Sequence, residues 1–385
     1  MNKDTIYASL TRNQKTAISI IRVSGPQTKI ILKKFLKKEV KAKEINLRNI
    51  YDSNGDFIDQ GVILFFSKPN SPTGEDVVEL HVHGSLAIIK KIELEFNKIK
   101  HVREAEPGEF AKRALQNDKI DLLQVEGLDD LLEASTETQR KRAQLAFMGS
   151  VSSNLLKWRD ELIEISSYLE TSIDFSDEVL PSKTIAMFEK KLINIKDQII
   201  VALKKAEFSK KIKEGLKVVV TGPPNAGKSS LINCLLDDYI SIVSAKPGTT
   251  RDIVYSTVDM NGVCVNIYDT AGLHETNNEI EKEGIKRATD LLKICDIQIR
   301  VVDGTENNWK KKLIKIPKVN DFTVDLINKS DLKKREITKS SSEINISSKT
   351  GENIDVLIQI LKKKINAVVH KGDNPIIFRD RHIKI

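Results

Sequence analysis

The sequence predicts a multidomain protein of mixed α/β and α+β class, and three observations predict it. At Val218–Ser230 (VVVTGPPNAGKSS), three β-forming residues run into a G-x-x-x-x-G-K-S loop and a helix-compatible LINCLL, and strand and helix alternate from there to about Val369. Between Lys119 and about Lys213, apolar residues recur at helical spacing instead. Before that, from Thr5 to about Asp118, strand-like and helix-like segments mix. A chain of 385 residues has room for two or three domains, and a hydrophobic content of 40% can fill their cores.

In chain order, AISIIRV (Ala17–Val23) reads as a buried strand and a helix follows across Gln27–Leu36. GVILFF (Gly61–Phe66) and VVELHVHG (Val77–Gly84) read as further strands, punctuated by Pro69, Pro72 and Gly74. In the last of these, Glu79 and His81 fall on one strand face and Val78, Leu80 and Val82 on the other. The polar stretch from Glu106 (EPGEFAKRALQNDKIDL) is richer in chemistry than a plain loop needs. Leu122, Val125, Leu128 and Leu132, then Leu155, Leu162, Ile165 and Leu169, mark two helices, and a third runs from about Ile185 to Ile212. Three such amphipathic helices make a bundle. Strands are then expected at Lys217–Thr221, Ile253–Met260, Val263–Asp269, Ile297–Asp303, Phe322–Asn328 and Glu343–Ile346.

Composition excludes several classes. The longest apolar runs, such as VILFF from Val62, fall far short of the roughly 18 to 20 residues that cross a bilayer. The N-terminal MNKDTIYASLTRNQK has no apolar core of a signal peptide, so a cytoplasmic protein without a membrane span is expected. Cys234, Cys264 and Cys295 have no C-x-x-C spacing and read as buried small hydrophobes. His81 and His83 lack further ligands at metal spacing. The formal net charge of +8 fits either RNA contact or a lysine-rich solvated surface, given runs such as KKFLKK and LKKK.

The chemistry begins at the G-x-x-x-x-G-K-S loop. Gly222 and Gly227 let successive N–H groups face a phosphate, Lys228 reaches the β- and γ-phosphates, and Ser229 can ligate Mg²⁺. Four further motifs follow. GTTRD offers Thr249 and Thr250 to a Mg²⁺ shell when a γ-phosphate is present, and DTAG ends a strand with a carboxylate, Asp269, and a glycine, Gly272. NKSD places Asp331 to accept from N1–H and N2–H₂ of guanine, a pattern adenine lacks, and SSK (Ser347–Lys349) would pack on the base. The five motifs in order describe a GTPase. The position after DTAG that carries a water-orienting glutamine in a Ras-like GTPase is Leu273 here. Asn225 and the loop Ser244–Thr249 are placed to ligate a monovalent cation beside the phosphates, supplying charge as an arginine finger does.

Taken together, DTI (Asp4–Ile6), TGEDVVEL, PGEF, NDKIDL, PNAGKSS, GTTRD, DTAGL and NKSD resemble the bacterial MnmE/TrmE family of tRNA-uridine modification GTPases over essentially the whole chain. The resemblance implies an α+β tetrahydrofolate-binding and dimerisation domain at 1–118, the first part of a helical domain at 119–213, a Ras-like P-loop G domain at 214–370 inserted into that helical domain, and the start of a returning helical segment at 371–385. It implies a homodimer whose G domains associate in a K⁺-dependent way. GTP hydrolysis would then drive modification of the tRNA wobble uridine to 5-carboxymethylaminomethyluridine, together with a flavin-containing MnmG/GidA-type partner in a heterotetramer.

By position, the resemblance assigns GTP contacts to Asn225, Ala226, Gly227, Lys228, Ser229 and Ser230, to Ser244, Ala245, Lys246, Pro247, Gly248, Thr249 and Thr250, to Asp269, Thr270, Ala271 and Gly272, to Asn328, Lys329, Ser330 and Asp331, and to Ser347, Ser348 and Lys349. Mg²⁺ falls on Ser229 and Thr250, and K⁺ on Asn225, Ser244, Lys246 and Thr249. Glu281 would orient the attacking water, with Asn225 and Lys228 as the other catalytic groups. A 5-formyl-tetrahydrofolate, or a related one-carbon folate, would meet Arg22, Glu79 and Lys119, where a cation can pair with its glutamate tail and a carboxylate can accept from the pterin.

The sequence departs from the family pattern in three places. Asn13–Thr16 stand in place of a glycine-rich turn, and His274 stands in place of an arginine. The family pattern also ends in Cys-Ile-Gly-Lys, supplying a cysteine for modification and a lysine for folate, whereas this sequence ends at Ile385. The expectation is a truncated chain, or one that lacks that part of the function. The residues by themselves also fit a GTP-dependent RNA-binding switch or assembly factor that modifies no base.

Overall fold

Alternating burial along the strands of one sheet and near-continuous burial along the central strands of another build two sheets, and their strand orders set where the functional side chains meet. The structure, a computed structural model, describes residues 4–11, 16–174, 182–238, 255–269, 290–333 and 343–369. The chain divides into two units, Met1–Val125 and Glu126–Ile385.

In the first unit β1 (Thr5–Ser9), β2 (Ile18–Ser24), β3 (Asn46–Tyr51), β4 (Phe57–Phe66), β5 (Val77–His83) and β6 (Val102–Glu104) form one sheet in the order β3-β4-β5-β2-β1-β6. All its pairs are antiparallel except β1 with β6. The helices are α1 (Thr28–Phe35), α2 (Leu86–Asn97) and α3 (Glu109–Gln116). Val78, Leu80 and Val82 of β5 enter a core with Ile21, Val23, Ile31, Phe35, Ile92 and Phe96, while Glu79 and His81 stay off it, as the alternation predicts. The polar stretch from Glu106 becomes α3, whose Arg113 is 1% exposed. Arg113 donates to Glu109, to Asp4 and to Glu75, and Arg103 forks onto the same Glu109 carboxylate at 2.7 and 2.8 Å.

In the second unit the sequence predicts three helices where four stand: α4 (Leu122–Glu133, which begins before the division), α5 (Glu137–Phe147), α6 (Ser150–Asp174) and α7 (Ser182–Glu214). The additional one is α5, ETQRKRAQLAF, whose buried side chains are only Ala143 and Ala146, so it carries no apolar stripe to read. It is nucleated by a capping box in which Thr136 accepts from the Gln139 backbone and Gln139 accepts from that of Thr136. Trp158 and Ile165 of α6 pack against Ile195, Ala202 and Ala206 of α7. Among the described residues no helix is long and apolar enough to cross a membrane.

The second sheet contains β7 (Leu216–Thr221), β8 (Tyr255–Met260), β9 (Val263–Asp269), β10 (Ile297–Asp303), β11 (Val324–Asn328) and β12 (Glu343–Asn345), in the order β12-β11-β10-β7-β9-β8. Every neighbour is parallel except β8, which is antiparallel to β9. The alternation of strand and helix in this part of the sequence thus becomes a parallel sheet, to which β8 adds an antiparallel edge that the alternation did not announce. Helices α8 (Lys228–Asp238), α9 (Trp309–Lys315) and α10 (Ile354–Val369) accompany it. Val218, Val220, Leu231, Ile267, Ile299, Leu326, Leu357 and Leu361 share its main core.

The two hydrogen bonds from Arg103, outweighing burial, hold the Glu109 carboxyl at about 2. Because the folded value lies below the unfolded one, this contribution to stability is complete above the ordinary glutamate range and is lost as pH falls through it. Glu109→Gln should therefore lower the urea midpoint at pH 7, and the gap to the unsubstituted protein should close as pH falls from about 4.5 towards 2. A gap that stays constant over that range would detach Glu109's ionisation from stability.

Candidate nucleotide-binding site

The phosphate loop lies between β7 and α8, and its backbone is shaped by what crowds it. Gly227 has φ +87°, and a Cβ there would lie 2.2 Å from the side-chain nitrogen of Asn328. Asn225 also takes a positive φ, 62°. Lys228 is 4% exposed and donates to the carbonyls of Gly222 and Pro223 at 3.0 Å each. Burial lowers its pKa, with the charge of Asp269 opposing the shift. A buried ammonium on a loop of N–H groups has its electrostatic complement in a phosphate. Ser229 at the start of α8 donates to Asp269 at 2.7 Å, so the hydroxyl and carboxylate proposed for the metal's surroundings already share a hydrogen bond.

The side of the cleft where NKSD and SSK meet is built from the ends of β11 and β12. Asn328, 1% exposed, donates to the Ala226 carbonyl of the phosphate loop at 2.9 Å and to the Ser348 hydroxyl at 3.0 Å, and accepts from Ser348 N–H at 3.0 Å. Ser347 donates to Asp331 Oδ1 at 2.7 Å and so orients a carboxylate whose two oxygens together can accept a donor pair such as guanine presents. Lys329 pairs with Asp303 at 2.6 Å, and Ser330 donates to Glu352 at 2.7 Å. The cleft between these groups, about 380 Å³, is lined by Gly227, Ser230, Asn328, Lys329, Asp331, Leu332, Ser348 and Lys349.

The structure thus brings together Asn225 to Ser230, Asp269, Asn328 to Asp331 and Ser347 to Lys349. Ser244, Ala245, Lys246, Pro247, Gly248, Thr249, Thr250, Thr270, Ala271, Gly272 and Glu281 lie outside the described residues, as do Leu273 and His274. Sequence reasoning missed Asp303 and Glu352, which fix Lys329 and Ser330. Asp303 follows a β-forming VV at a strand end, the one signal that pointed to it.

In the first unit Arg22 and Glu79 are direct cross-strand partners on β2 and β5. Arg22 Nε and Nη2 both reach Glu79 Oε1, at 2.8 and 2.7 Å, with the guanidinium 5.6 Å from the Phe110 ring centroid. His81 approaches the other Glu79 oxygen at 3.4 Å. Lys119 follows α3, its stem within 3.3 Å of where a Gly74 Cβ would stand. Phe110 and His81 are the neighbours that the motif reading did not assign.

Asn328→Ala would leave the Ala226 carbonyl and the Ser348 groups without their partner, at about 1–3 kcal/mol for each buried group orphaned. Calorimetric titration with GDP should show binding weakened by about tenfold or more. Unchanged affinity would show that the loop keeps its shape without this amide.

A family model described as GTP-binding protein TrmE N-terminus matches residues 5–119, and one described as MnmE helical domain matches residues 122–385. The chain is 36% identical over 428 residues to tRNA modification GTPase gtpbp3, mitochondrial, of Dictyostelium discoideum, covering 99% of this chain and 84% of that one. It is 37% identical over 366 residues to tRNA modification GTPase MnmE of Dinoroseobacter shibae, covering 94% and 82% respectively. With the MnmE of Pelagibacter ubique it shares 39% identity over 339 residues, covering 86% and 75%. With both models matched and relatives aligned along most of their own length, the chain belongs to the MnmE/TrmE family of tRNA modification GTPases.

Proposed function

We propose that this protein hydrolyses GTP as part of the modification of tRNA at the wobble uridine. The observation that carries the nucleotide reading is Asn328, which bonds the phosphate loop to a turn whose Ser347 orients Asp331 towards the place of a guanine edge. The names of its relatives carry the tRNA reading.

The Ser229 hydroxyl and Asp269 carboxylate are hard oxygen donors that fit a divalent cation, with Ser229 as the ligand and Asp269 behind it; Thr250 is the second proposed ligand. When bound, Mg²⁺ would neutralise charge on the β- and γ-phosphates. Lys228 supplies a buried positive charge to the same phosphates, and the loop's N–H groups orient them. With Leu273 at the position of the water-orienting glutamine, Glu281 is the proposed orienter of water. K⁺ on Asn225, Ser244, Lys246 and Thr249 would supply the charge of an arginine finger. In this reading the protein acts as a homodimer in the cytoplasm, beside a flavin-containing MnmG/GidA-type partner.

A one-carbon folate is proposed at Arg22, Glu79 and Lys119. Arg22 and Glu79 form a preset cation–carboxylate pair on one sheet face, matching a ligand that carries both a carboxylate tail and pterin donors.

GTP turnover should be faster in KCl than in NaCl of equal ionic strength by at least about tenfold, the scale of one electrostatic group acting in the transition state. Equal rates in the two salts would remove the cation role of Asn225.

A further inference from the structure

The C-terminal end of α7 is held from two sides. The last carbonyls of a helix have no partner within it. Here Gln139 Nε2, from α5, donates to Ile212 O at 3.2 Å and Lys213 O at 3.0 Å. Asn266 Nδ2, from β9 of the second sheet, donates to Glu214 O at 3.0 Å. Two side-chain amides, one from the helical segment and one from the sheet, therefore cap three consecutive carbonyls.

Both amides are oriented by bonds to their oxygens. The Oε1 of Gln139 accepts from the N–H groups of Ser135 and Thr136 in the capping box, which turns its donors towards α7. Thr257 Oγ1 of β8 donates to Asn266 Oδ1 at 2.9 Å, which turns that amide's donors the same way. Gly215, between α7 and β7, has φ +85°, and a Cβ there would meet Asn266 Nδ2 at 2.7 Å and Cys264 Sγ at 2.9 Å. The junction therefore needs glycine both for its conformation and for its space.

This cap lies a short way along the chain from the nucleotide machinery. β7 leaves Gly215 and delivers Thr221 to the phosphate loop. Asn266 stands on the same strand as Asp269, which bonds Ser229. The stretch between them is on the order of 10 Å of extended chain. Thr257 lies just beyond the GTTRD motif in sequence. Further ties hold the same elements: Thr138 N–H donates to Gly262 O in the β8–β9 turn, and Lys211 pairs with Asp296, which also accepts from Lys217 N–H. Beside the cap lies a cleft of about 220 Å³, lined in part by Asp130, Glu133, Arg142, Ser209 and Tyr255, at which Lys213 pairs with Asp130 at 2.6 Å. A terminus held by oriented hydrogen bonds and an ion pair, with a cleft beside it, has both the ties to follow a shift of β9 or β7 and the space to do so.

We propose that the cap formed by Gln139 and Asn266 on the C-terminus of α7 transmits the nucleotide state of the phosphate loop to α5 and α7. This rests on the nucleotide reading above and adds the route by which that site acts on the rest of the second unit. Gln139 and Asn266 are positioning residues in this account, since neither touches nucleotide.

The test is hydrogen exchange followed by mass spectrometry on the full chain, with GDP and with a non-hydrolysable GTP analogue, Mg²⁺ and K⁺ present. Amides of α5 and of the last turns of α7 should exchange at rates differing by about fivefold between the two nucleotides, the lower end of ordinary coupling. Gln139→Glu keeps the capping-box acceptor and removes the donors to α7, while Asn266→Asp keeps the acceptor for Thr257 and removes the donor to Glu214. Each should reduce that difference to within about twofold while leaving GDP affinity within about threefold. Lys191→Ala, which breaks a surface pair with Glu164, should leave it intact. Identical exchange in both nucleotide states of the unsubstituted protein overturns the proposal, as does a full difference retained in a variant that melts cooperatively. Failure of the unsubstituted protein to bind either nucleotide overturns the nucleotide reading itself, which separates the two failures.

Discussion

The side-chain amide of Asn328 ties together the parts of the nucleotide site that are far apart in sequence. It reaches back to the Ala226 carbonyl, 102 positions earlier, and forward to Ser348. Its nitrogen occupies the space that a side chain at position 227 would need, so the second glycine of the phosphate loop is required by the asparagine of NKSD. This contact depends on strand order. With β10 between β7 and β11, and all three parallel, the loops leaving β7 and β11 emerge at the same edge, where open parallel sheets bind their ligands.

Much of this was legible in the sequence because the motifs are local. The phosphate loop, NKSD and SSK each carry their chemistry within a few residues, and the alternation of strand and helix announced the parallel sheet. Helix α5 escaped because it buries alanines and exposes charge, although its Thr136 and Gln139 had spelled out a capping box. The polar partners escaped for a different reason. Arg113 meets Asp4 across 109 positions and Glu75 across 38, and no periodicity announces a pairing fixed only when β1, α3 and the loop before β5 come together.

The two units use charge in different ways. In the first, Arg113 is enclosed by carboxylates and Arg22 is set against Glu79 on an open sheet face, so one cation serves the fold while the other remains accessible to a ligand. In the second, the buried Lys228 rests on backbone carbonyls, a weaker set of partners than a phosphate would be. The glycine junction between α7 and β7 connects that loop to α7 through a single strand.

A cleft beside Asn328 and Asp331 that is built for guanine must discriminate between bases. Calorimetric titration of the full chain with GDP and with ADP, each with Mg²⁺, measures that most directly. GDP should bind about a hundredfold or more tightly than ADP, since a site that aims a carboxylate at two donors rejects a base lacking them. Equal affinity for the two nucleotides would contradict it.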